Sequence, residues 1–261
     1  MGTIEQSLRT IEVGGQRSRL YDAGGGRPIL VLHGWGGRIE SMAPILSGLG
    51  DLGRILAVDL PGFGEAPAPG APWGTPDYAG FVEGVLDEVG VGQADFIGHS
   101  FGAKTSLMLA ATHPARAGKL VLQGSSGLRT PPSMKARAKR MVSKAARFSG
   151  RFGAPGERLR RAVYERIASE DYRNAGPMRA TLVKVVNEDF TELLPRVVAP
   201  TLLVWGSKDE SAPLAHGKSM ERLIPDAGLV IFEGAGHFAY LDEPQRFNTI
   251  ARHFLSSKEA G

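Results

Sequence analysis

The sequence predicts an α/β fold in which a mostly parallel, eight-stranded sheet is flanked by helices. Short apolar runs alternate with helical patterns through most of the 261 residues, which is typical of a parallel sheet covered by helices on both faces. The composition agrees, because 42% hydrophobic and 22% charged residues are typical of a folded globular chain and exclude a disordered one. A break in the alternation between residues 130 and 195 predicts a separate helical insertion.

The first two strands are predicted to form an antiparallel hairpin. The runs 9–13 and 18–21 flank Gly14 and Gly15, and glycine supplies the positive φ angles that tight hairpin turns need. Six further runs are short, apolar and rich in branched side chains, which indicates strands buried on both faces. They are predicted at 28–32, 54–58, 95–97, 120–122, 201–205 and 229–232. Helices are predicted at 41–49, 78–89, 104–112, 218–223 and 244–255.

The insertion is predicted to be all helical and to follow the sixth strand. Its first helix spaces apolar side chains along one face, as in an amphipathic helix. These side chains are Met134, Ala138, Met141, Val142, Ala145 and Phe148. Residues 128–174 carry thirteen Lys and Arg against four Asp and Glu, whereas the net charge of the whole chain is only +4. We therefore divide the chain into a core domain, 1–127 and 196–261, and a helical cap or lid, 128–195.

A basic amphipathic helix of this kind also fits two other roles. It can lie on an anionic membrane surface or bind nucleic acid. Its place between two strands of the sheet favours the lid, and the modest net charge of the chain indicates no nucleic-acid partner.

The composition excludes several classes of function. The chain has no cysteine, which excludes disulfides, a thiol nucleophile and thiolate metal sites. The six histidines show none of the paired spacings of metal sites, so we expect neither a metal nor another cofactor. Residues 1–9 lack the features of a signal peptide, and no apolar run approaches the length of a membrane span. We expect a cytoplasmic protein without stable membrane insertion.

The clearest chemical motif is Gly98-His99-Ser100-Phe101-Gly102. It matches G-x-S-x-G, in which a serine occupies a tight turn between a strand and a helix with its hydroxyl exposed above the sheet. The motif alone is weak, but a predicted strand precedes it and a predicted helix follows it, as the turn requires. Ser100 is therefore the candidate nucleophile.

A serine hydroxyl needs a base within reach and an acid that orients the base. Asp209 follows the predicted strand 201–205, and His237 follows the next one. Since the carboxyl ends of parallel strands meet at one edge of a sheet, both side chains can reach Ser100. Glu210 is the alternative acid, but its side chain should point away if Asp209 faces His237.

The reaction also needs hydrogen-bond donors for a developing oxyanion. The glycine-rich run from His33 to Gly37 directly follows the strand 28–32, and we expect the backbone N–H of Trp35 to be one donor. The N–H of Phe101, directly after the nucleophile, is the expected second donor. A phosphate-binding role for these glycines is disfavoured, because the sequence lacks the motifs of phosphate-binding loops.

Taken together, these motifs resemble those of the α/β-hydrolase superfamily from the first hairpin to the last helix. The resemblance implies a serine nucleophile rather than the aspartate of dehalogenases and epoxide hydrolases, and a cap where the helical insertion lies. It also implies that His33 and His99 pack around the turns of the site instead of transferring protons. The matching segments are His33 to Gly36, Asp59 to Gly64, Gly98 to Gly102, Gly206 to Asp209 and Gly236-His237.

We expect a cofactor-free, carboxylesterase-like serine hydrolase that cleaves a small-molecule ester or related acyl substrate through an acyl-enzyme. Two alternatives stay open. One is hydrolysis of a carbon–carbon bond in a meta-cleavage dienoic acid, an acidic substrate that the basic cap would suit. The other is a ligand receptor that retains the triad. The expected substrate-binding residues are Trp35, Phe238, Met134, Met141 and Phe148.

Overall fold

The computed structural model describes residues 4–128 and 174–257. Its sheet has eight strands in the order β1-β2-β4-β3-β5-β6-β7-β8. The first two strands pair antiparallel with each other, β2 pairs antiparallel with β4, and all other pairs are parallel. The predicted mostly parallel, eight-stranded sheet is therefore confirmed. The strands are β1 (Leu8–Val13), β2 (Gln16–Ala23), β3 (Pro28–Leu32), β4 (Arg54–Val58), β5 (Ala94–His99), β6 (Ala117–Gln123), β7 (Thr201–Gly206) and β8 (Ala227–Phe232).

The helices of the described residues follow the predicted order. They are α1 (Ala43–Leu49), α2 (Thr75–Glu88), α3 (Phe101–Thr112), α4 (Arg179–Asn187), α5 (Leu214–Leu223), α6 (Ala239–Asp242) and α7 (Pro244–Ser256). Helix α2 begins three residues before its predicted start, because the carboxylate of Asp77 accepts the N–H of Gly74 at 2.7 Å and caps the first turn. The single turn of α6 was not predicted.

The sheet divides the core into two apolar layers. Alternate residues of a strand face opposite sides, so Leu30 and Leu32 of β3 join one layer while Ile29 and Val31 join the other. Helices α2 and α3 cover the first layer, and α1 and α7 cover the second. Because each buried branched side chain contributes about 1.5–3 kcal/mol, the continuous apolar runs of these strands favour a sheet covered on both faces.

The predicted cap is described only in part. Between β6 and β7, the described residues hold α4 and two short 3₁₀ helices, Gly176–Met178 and Leu194–Arg196, and they hold no strand. Leu182 and Val185 of α4 are buried. The segment predicted to form the basic amphipathic helix, with Met134, Met141 and Phe148, lies outside the described residues. Its role as a lid and the boundaries 128–195 of the cap therefore stay predictions.

Candidate active site

Ser100 lies on a sharp turn between β5 and α3. Its backbone angles are φ 50° and ψ −104°, and within residues 4–128 and 174–257 it is the one residue other than glycine with a positive φ. The turn is crowded on both sides of the serine. A Cβ atom on Gly98 would lie 2.6 Å from the backbone nitrogen of Ala103, and one on Gly102 would lie 2.3 Å from the carbonyl oxygen of Leu32. Both positions therefore require glycine.

Asp209 and His237 meet across the loops that follow β7 and β8. The Oδ2 atom of Asp209 lies 2.8 Å from Nδ1 of His237. Its Oδ1 atom accepts the backbone N–H groups of Ser211 at 2.9 Å and Ala212 at 2.8 Å. The carboxylate is fully buried and is held from both sides. Because a carboxylate accepts hydrogen bonds, this contact assigns the proton of a neutral His237 to Nδ1 and leaves Nε2 free to act as a base.

The backbone of His237 is held as firmly as its side chain. Its carbonyl oxygen lies 3.1 Å from Nε2 of His99 and accepts the side-chain amide of Gln123 at 2.9 Å. His99 is buried, and burial lowers its pKa to about 3, with a further contribution from the nearby His237. A neutral His99 therefore donates its Nε2–H to the loop of His237. It braces the loop, as the family resemblance implies.

The glycine-rich segment after β3 forms a tight turn beside Ser100. The N–H of Gly37 donates to the carbonyl of Gly34 at 3.0 Å, with Trp35 and Gly36 as the central residues and φ +72° at Gly36. A Cβ atom on Gly34 would lie 2.6 Å from Nδ1 of His99 and 3.4 Å from Cβ of Ser100. The turn can thus approach the nucleophile closely only because it contains glycine.

The side chain of His33 holds this turn through hydrogen bonds to the backbone. Its Nε2 atom accepts the backbone N–H of Leu60 at 2.9 Å, so Nδ1 carries the proton and donates to the carbonyl of Gly34 at 2.8 Å. The ring is buried, and burial lowers its pKa. On the other side of Ser100, Phe101 begins α3, whose first N–H groups have no partner within the helix. The two expected oxyanion donors therefore lie on segments that flank Ser100.

A cavity of about 530 Å³ lies above Ser100 and His237. Trp35, Phe101 and Phe238 line it, including both described residues that were expected to bind substrate. The structure adds residues that the sequence analysis missed. Three come from α4, one directly precedes Ser100 and the others lie in loops: Leu182, Val185, Val186, His99, Ser126, Ser211 and Ala212. Among the described lining residues, none is a lysine or an arginine, so this part of the wall is apolar or neutral.

Two other residues considered in the sequence analysis, Glu210 and Phe101, differ in their exposure to solvent. Glu210 is exposed, whereas the neighbouring carboxylate of Asp209 is buried against His237. The Phe101 ring is buried between Trp35 and Tyr78, at centroid distances of 5.5 and 4.9 Å, and belongs mainly to the core. Among the described residues there is no cluster of three metal-ligating side chains and no helix long and apolar enough to cross a membrane.

Comparison with known proteins gives consistent results. The model of an alpha/beta hydrolase family matches residues 29–250. The chain is 30% identical to the 2-hydroxymuconate semialdehyde hydrolase of Pseudomonas putida, over 97% of this chain and 95% of that protein. It is 27% identical to the 2-hydroxy-6-oxo-6-phenylhexa-2,4-dienoate hydrolase of Burkholderia cepacia, over 92% of each. A solved meta-cleavage product hydrolase from Pseudomonas fluorescens shares the fold, with a TM-score of 0.74 and 22% identity over 95% of this chain and 97% of that chain.

Proposed function

The chain belongs to the α/β-hydrolase family, and from this membership we propose that it hydrolyses the carbon–carbon bond beside the C6 carbonyl of a 2-hydroxy-6-oxo-dienoic acid. The observation that carries the proposal is the similarity, along almost the whole chain, to two hydrolases named for such substrates. The motifs alone favoured an ester substrate. The relatives support hydrolysis of a carbon–carbon bond better, so this reaction is the main proposal.

In the proposed mechanism, Ser100 is the nucleophile, His237 the general base and Asp209 the orienting acid. Nε2 of His237 takes the hydroxyl proton as Oγ of Ser100 attacks the C6 carbonyl. The buried carboxylate of Asp209 stabilises the imidazolium that forms. The backbone N–H groups of Phe101 and Trp35 bind the oxyanion of the tetrahedral intermediate.

The second half of the reaction releases both products. The substrate reacts as its keto tautomer, in which the proton of the 2-hydroxyl group has moved to C5 and C2 carries a carbonyl. When the intermediate collapses, the bond between C5 and C6 breaks, and its electron pair passes through the C3–C4 double bond to the C2 oxygen. This dienolate takes the proton from His237 and leaves, while the C6 carbonyl stays bound to Ser100 as an ester. His237 then removes a proton from water, which hydrolyses the ester and returns the proton to Oγ.

The described part of the cavity suits the acyl end of such a substrate. Its walls are apolar beside Ser100, where Phe238 and the side chains of α4 lie. The carboxylate at C1 needs a cation, and the described lining residues supply none. We assign that role to the predicted cap, because residues 128–174 carry the basic surplus of the chain.

Ester hydrolysis is the second candidate, and the neutral wall of the described cavity favours it. The same triad and oxyanion donors serve an ester, whose alkoxide leaving group needs only the proton from His237. A neutral ester also needs no cation at its distal end. A receptor that keeps the triad is the third reading.

Turnover of two purified substrates distinguishes these functions. We expect kcat/KM for 2-hydroxy-6-oxo-6-phenylhexa-2,4-dienoate, followed by the loss of its absorbance, to exceed that for p-nitrophenyl butyrate by roughly 10²-fold. Ser100→Ala is the control for both. The reverse ratio would replace the carbon–carbon proposal by the ester one. Tight binding of either compound without turnover would favour the receptor.

A further inference from the structure

Lys104 is a buried lysine that the reaction does not use. It lies on α3, four residues after Ser100, and only 1% of its surface is exposed. Lysine is almost never fully buried unless it is paired. Burial lowers the pKa of its ammonium group, and the neighbouring Glu188 acts in the opposite direction. A group held in this way needs a structural reason.

The partners of Lys104 all lie at the end of α4 or just after it. Its Nζ atom lies 3.0 Å from Oε2 of Glu188, donates to the carbonyl of Val185 and sits 4.8 Å from the centre of the Phe190 ring. Val185 is in the last turn of α4, and its carbonyl, which also accepts the N–H of Glu188 at 3.3 Å, lies at the carboxyl end of the helix, where a cation is stabilising. Lys104 therefore caps the carboxyl end of α4.

Glu188 extends this connection to a third helix. Its Oε1 atom accepts the backbone N–H of Thr75 at 2.8 Å, and its Oε2 atom accepts the hydroxyl of the same residue. Thr75 begins α2, and a Cβ atom on the preceding Gly74 would lie 2.7 Å from Oε1 of Glu188. The Lys104–Glu188 pair thus joins the end of α4 to both α2 and α3.

Helix α4 also forms one wall of the cavity. Leu182, Val185 and Val186 line the space above Ser100, and Val185 is the residue whose carbonyl Lys104 holds. We propose that the Lys104–Glu188 pair is a positioning device that fixes α4 over the nucleophile and so determines the size of the acyl group that Ser100 accepts. The kinetic part of this proposal rests on hydrolysis at Ser100, whereas its structural part does not.

Physical chemistry separates this role from a general contribution to folding. Replacing a buried ion pair by apolar or neutral groups of similar volume is often neutral for stability, whereas removing one partner leaves a buried charge unpaired. A double variant therefore keeps the fold but loses the bond to the Val185 carbonyl. A role in stability alone predicts a lower unfolding midpoint, with the preference among esters unchanged.

The test compares Lys104→Met, Glu188→Gln and the double variant with the control Lys184→Met. Lys184 also joins α4 to α2, through Asp77 at 3.3 Å, but about half of its side chain is exposed. Each protein is assayed with p-nitrophenyl acetate, butyrate and octanoate. In the double variant we expect the octanoate-to-acetate ratio of kcat/KM to change on the order of 10-fold, mainly through KM, with an unfolding midpoint like that of the wild type.

Hydrogen exchange supplies the readout that needs no activity. We expect amides of α4 to exchange faster in the double variant than in the wild type or in Lys184→Met, while amides of β5 stay protected. If the double variant matches the wild type in both the ester ratio and α4 exchange, the proposal is wrong. An equal effect of Lys184→Met would also overturn it. Should the wild type hydrolyse none of the esters, the ester candidate fails while the carbon–carbon proposal stands, and α4 exchange still decides the role of the pair.

Discussion

At the scale of single residues, hydrogen bonds hold the carboxylate of Asp209 in one orientation. One oxygen holds two backbone N–H groups of its own loop, and the other faces Nδ1 of His237. Rotation of the carboxylate would leave buried donors without acceptors, which costs about 1–3 kcal/mol for each. The orientation of the imidazole is therefore built into the loop before any substrate binds.

The triad variants test this arrangement. We expect Ser100→Ala and His237→Ala each to lower kcat by a factor on the order of 10⁴ or more while the fold stays intact, because triad members act as a unit. Asp209→Asn should cost somewhat less. Steady-state kinetics on the better substrate measures the losses, and Glu210→Gln, at the exposed neighbour, should behave like the wild type. Substantial turnover by Ser100→Ala would end the assignment of the nucleophile.

The buried His99 makes stability depend on acidity. Its pKa is lowered to about 3 in the folded chain, against 6.5 ordinarily, so between these values the unfolded chain binds more protons. Stability must therefore fall as the pH drops from about 6.5 towards 3. We expect His99→Gln, which can still donate to the carbonyl of His237, to reduce this slope by up to about 1.4 kcal/mol per pH unit.

Urea unfolding between about pH 4 and 7.5 measures that slope. The buried His33, whose pKa is also lowered, should leave part of the slope in place. His253→Gln, on an exposed position of α7, is the matched control. A slope that His99→Gln leaves unchanged would contradict the assignment of acid sensitivity to His99.

At the scale of elements, the turn between β5 and α3 depends on close backbone contact. A Cβ atom on Gly102 would overlap the carbonyl of Leu32 in β3, and backbone of a central strand has little freedom to yield. We expect Gly102→Ala to destabilise the chain by about 2 kcal/mol or more. Gly80→Ala, on the exposed face of α2 with open space around it, should instead stabilise by about 0.5–1 kcal/mol. Thermal unfolding compares the two variants, and equal effects on the unfolding midpoint would contradict the crowding at the turn between β5 and α3.

The strands were predictable because each is a short, continuous apolar run that ends at a turn. Every predicted strand is present, and β2, β5, β6 and β8 extend by a few residues beyond the predicted run because backbone pairing, not side-chain character, sets their ends. Helix α6 was missed because a single turn has no room for a periodic pattern. Its place depends on the loop of His237, which is a tertiary effect.

The candidate site was predictable only where a local motif defines it. Ser100, Asp209 and His237 each follow a strand, and topology brings such positions together. Lys104 gave no such signal, since a lysine on a helix is normally solvent-exposed. The residues of α4 that line the cavity were missed for a related reason. Their apolar side chains suit any core, and only the packing of α4 above Ser100 makes them part of a site.

At the scale of the whole molecule, the carboxyl and amino ends of the strands have different roles. The loops after β3, β5, β7 and β8 carry the proposed triad and the two expected oxyanion donors. At the opposite edge, Asp95 at the start of β5 pairs with Arg27 at 2.6 Å, and Nζ of Lys119 donates to the carbonyl of Phe254 in α7 at 2.9 Å. The candidate site is thus at the carboxyl ends of the strands, whereas Asp95 and Lys119 connect the amino ends of β5 and β6 to neighbouring segments.

The molecule should act without a metal ion. The sequence has no cysteine and no paired metal-binding histidines, and the proposed mechanism uses only protein groups. We expect prolonged dialysis against EDTA to leave both kcat and KM unchanged. Zinc and magnesium additions to the dialysed protein are the controls. Loss of activity that a divalent ion restores would contradict this prediction and would require a new mechanism.

At residue 100, the positive φ favours glycine for stability, whereas the proposed reaction requires serine. Glycine adopts such angles freely, whereas serine bears a steric cost of about 1–3 kcal/mol. The extra freedom of glycine in the unfolded chain offsets only about 0.5–1 kcal/mol of that cost. An inactive descendant with glycine at residue 100 would therefore fold at least as well as its ancestor. If Ser100 is the nucleophile, a duplicated gene freed from the reaction could therefore exchange it for glycine without a cost in stability.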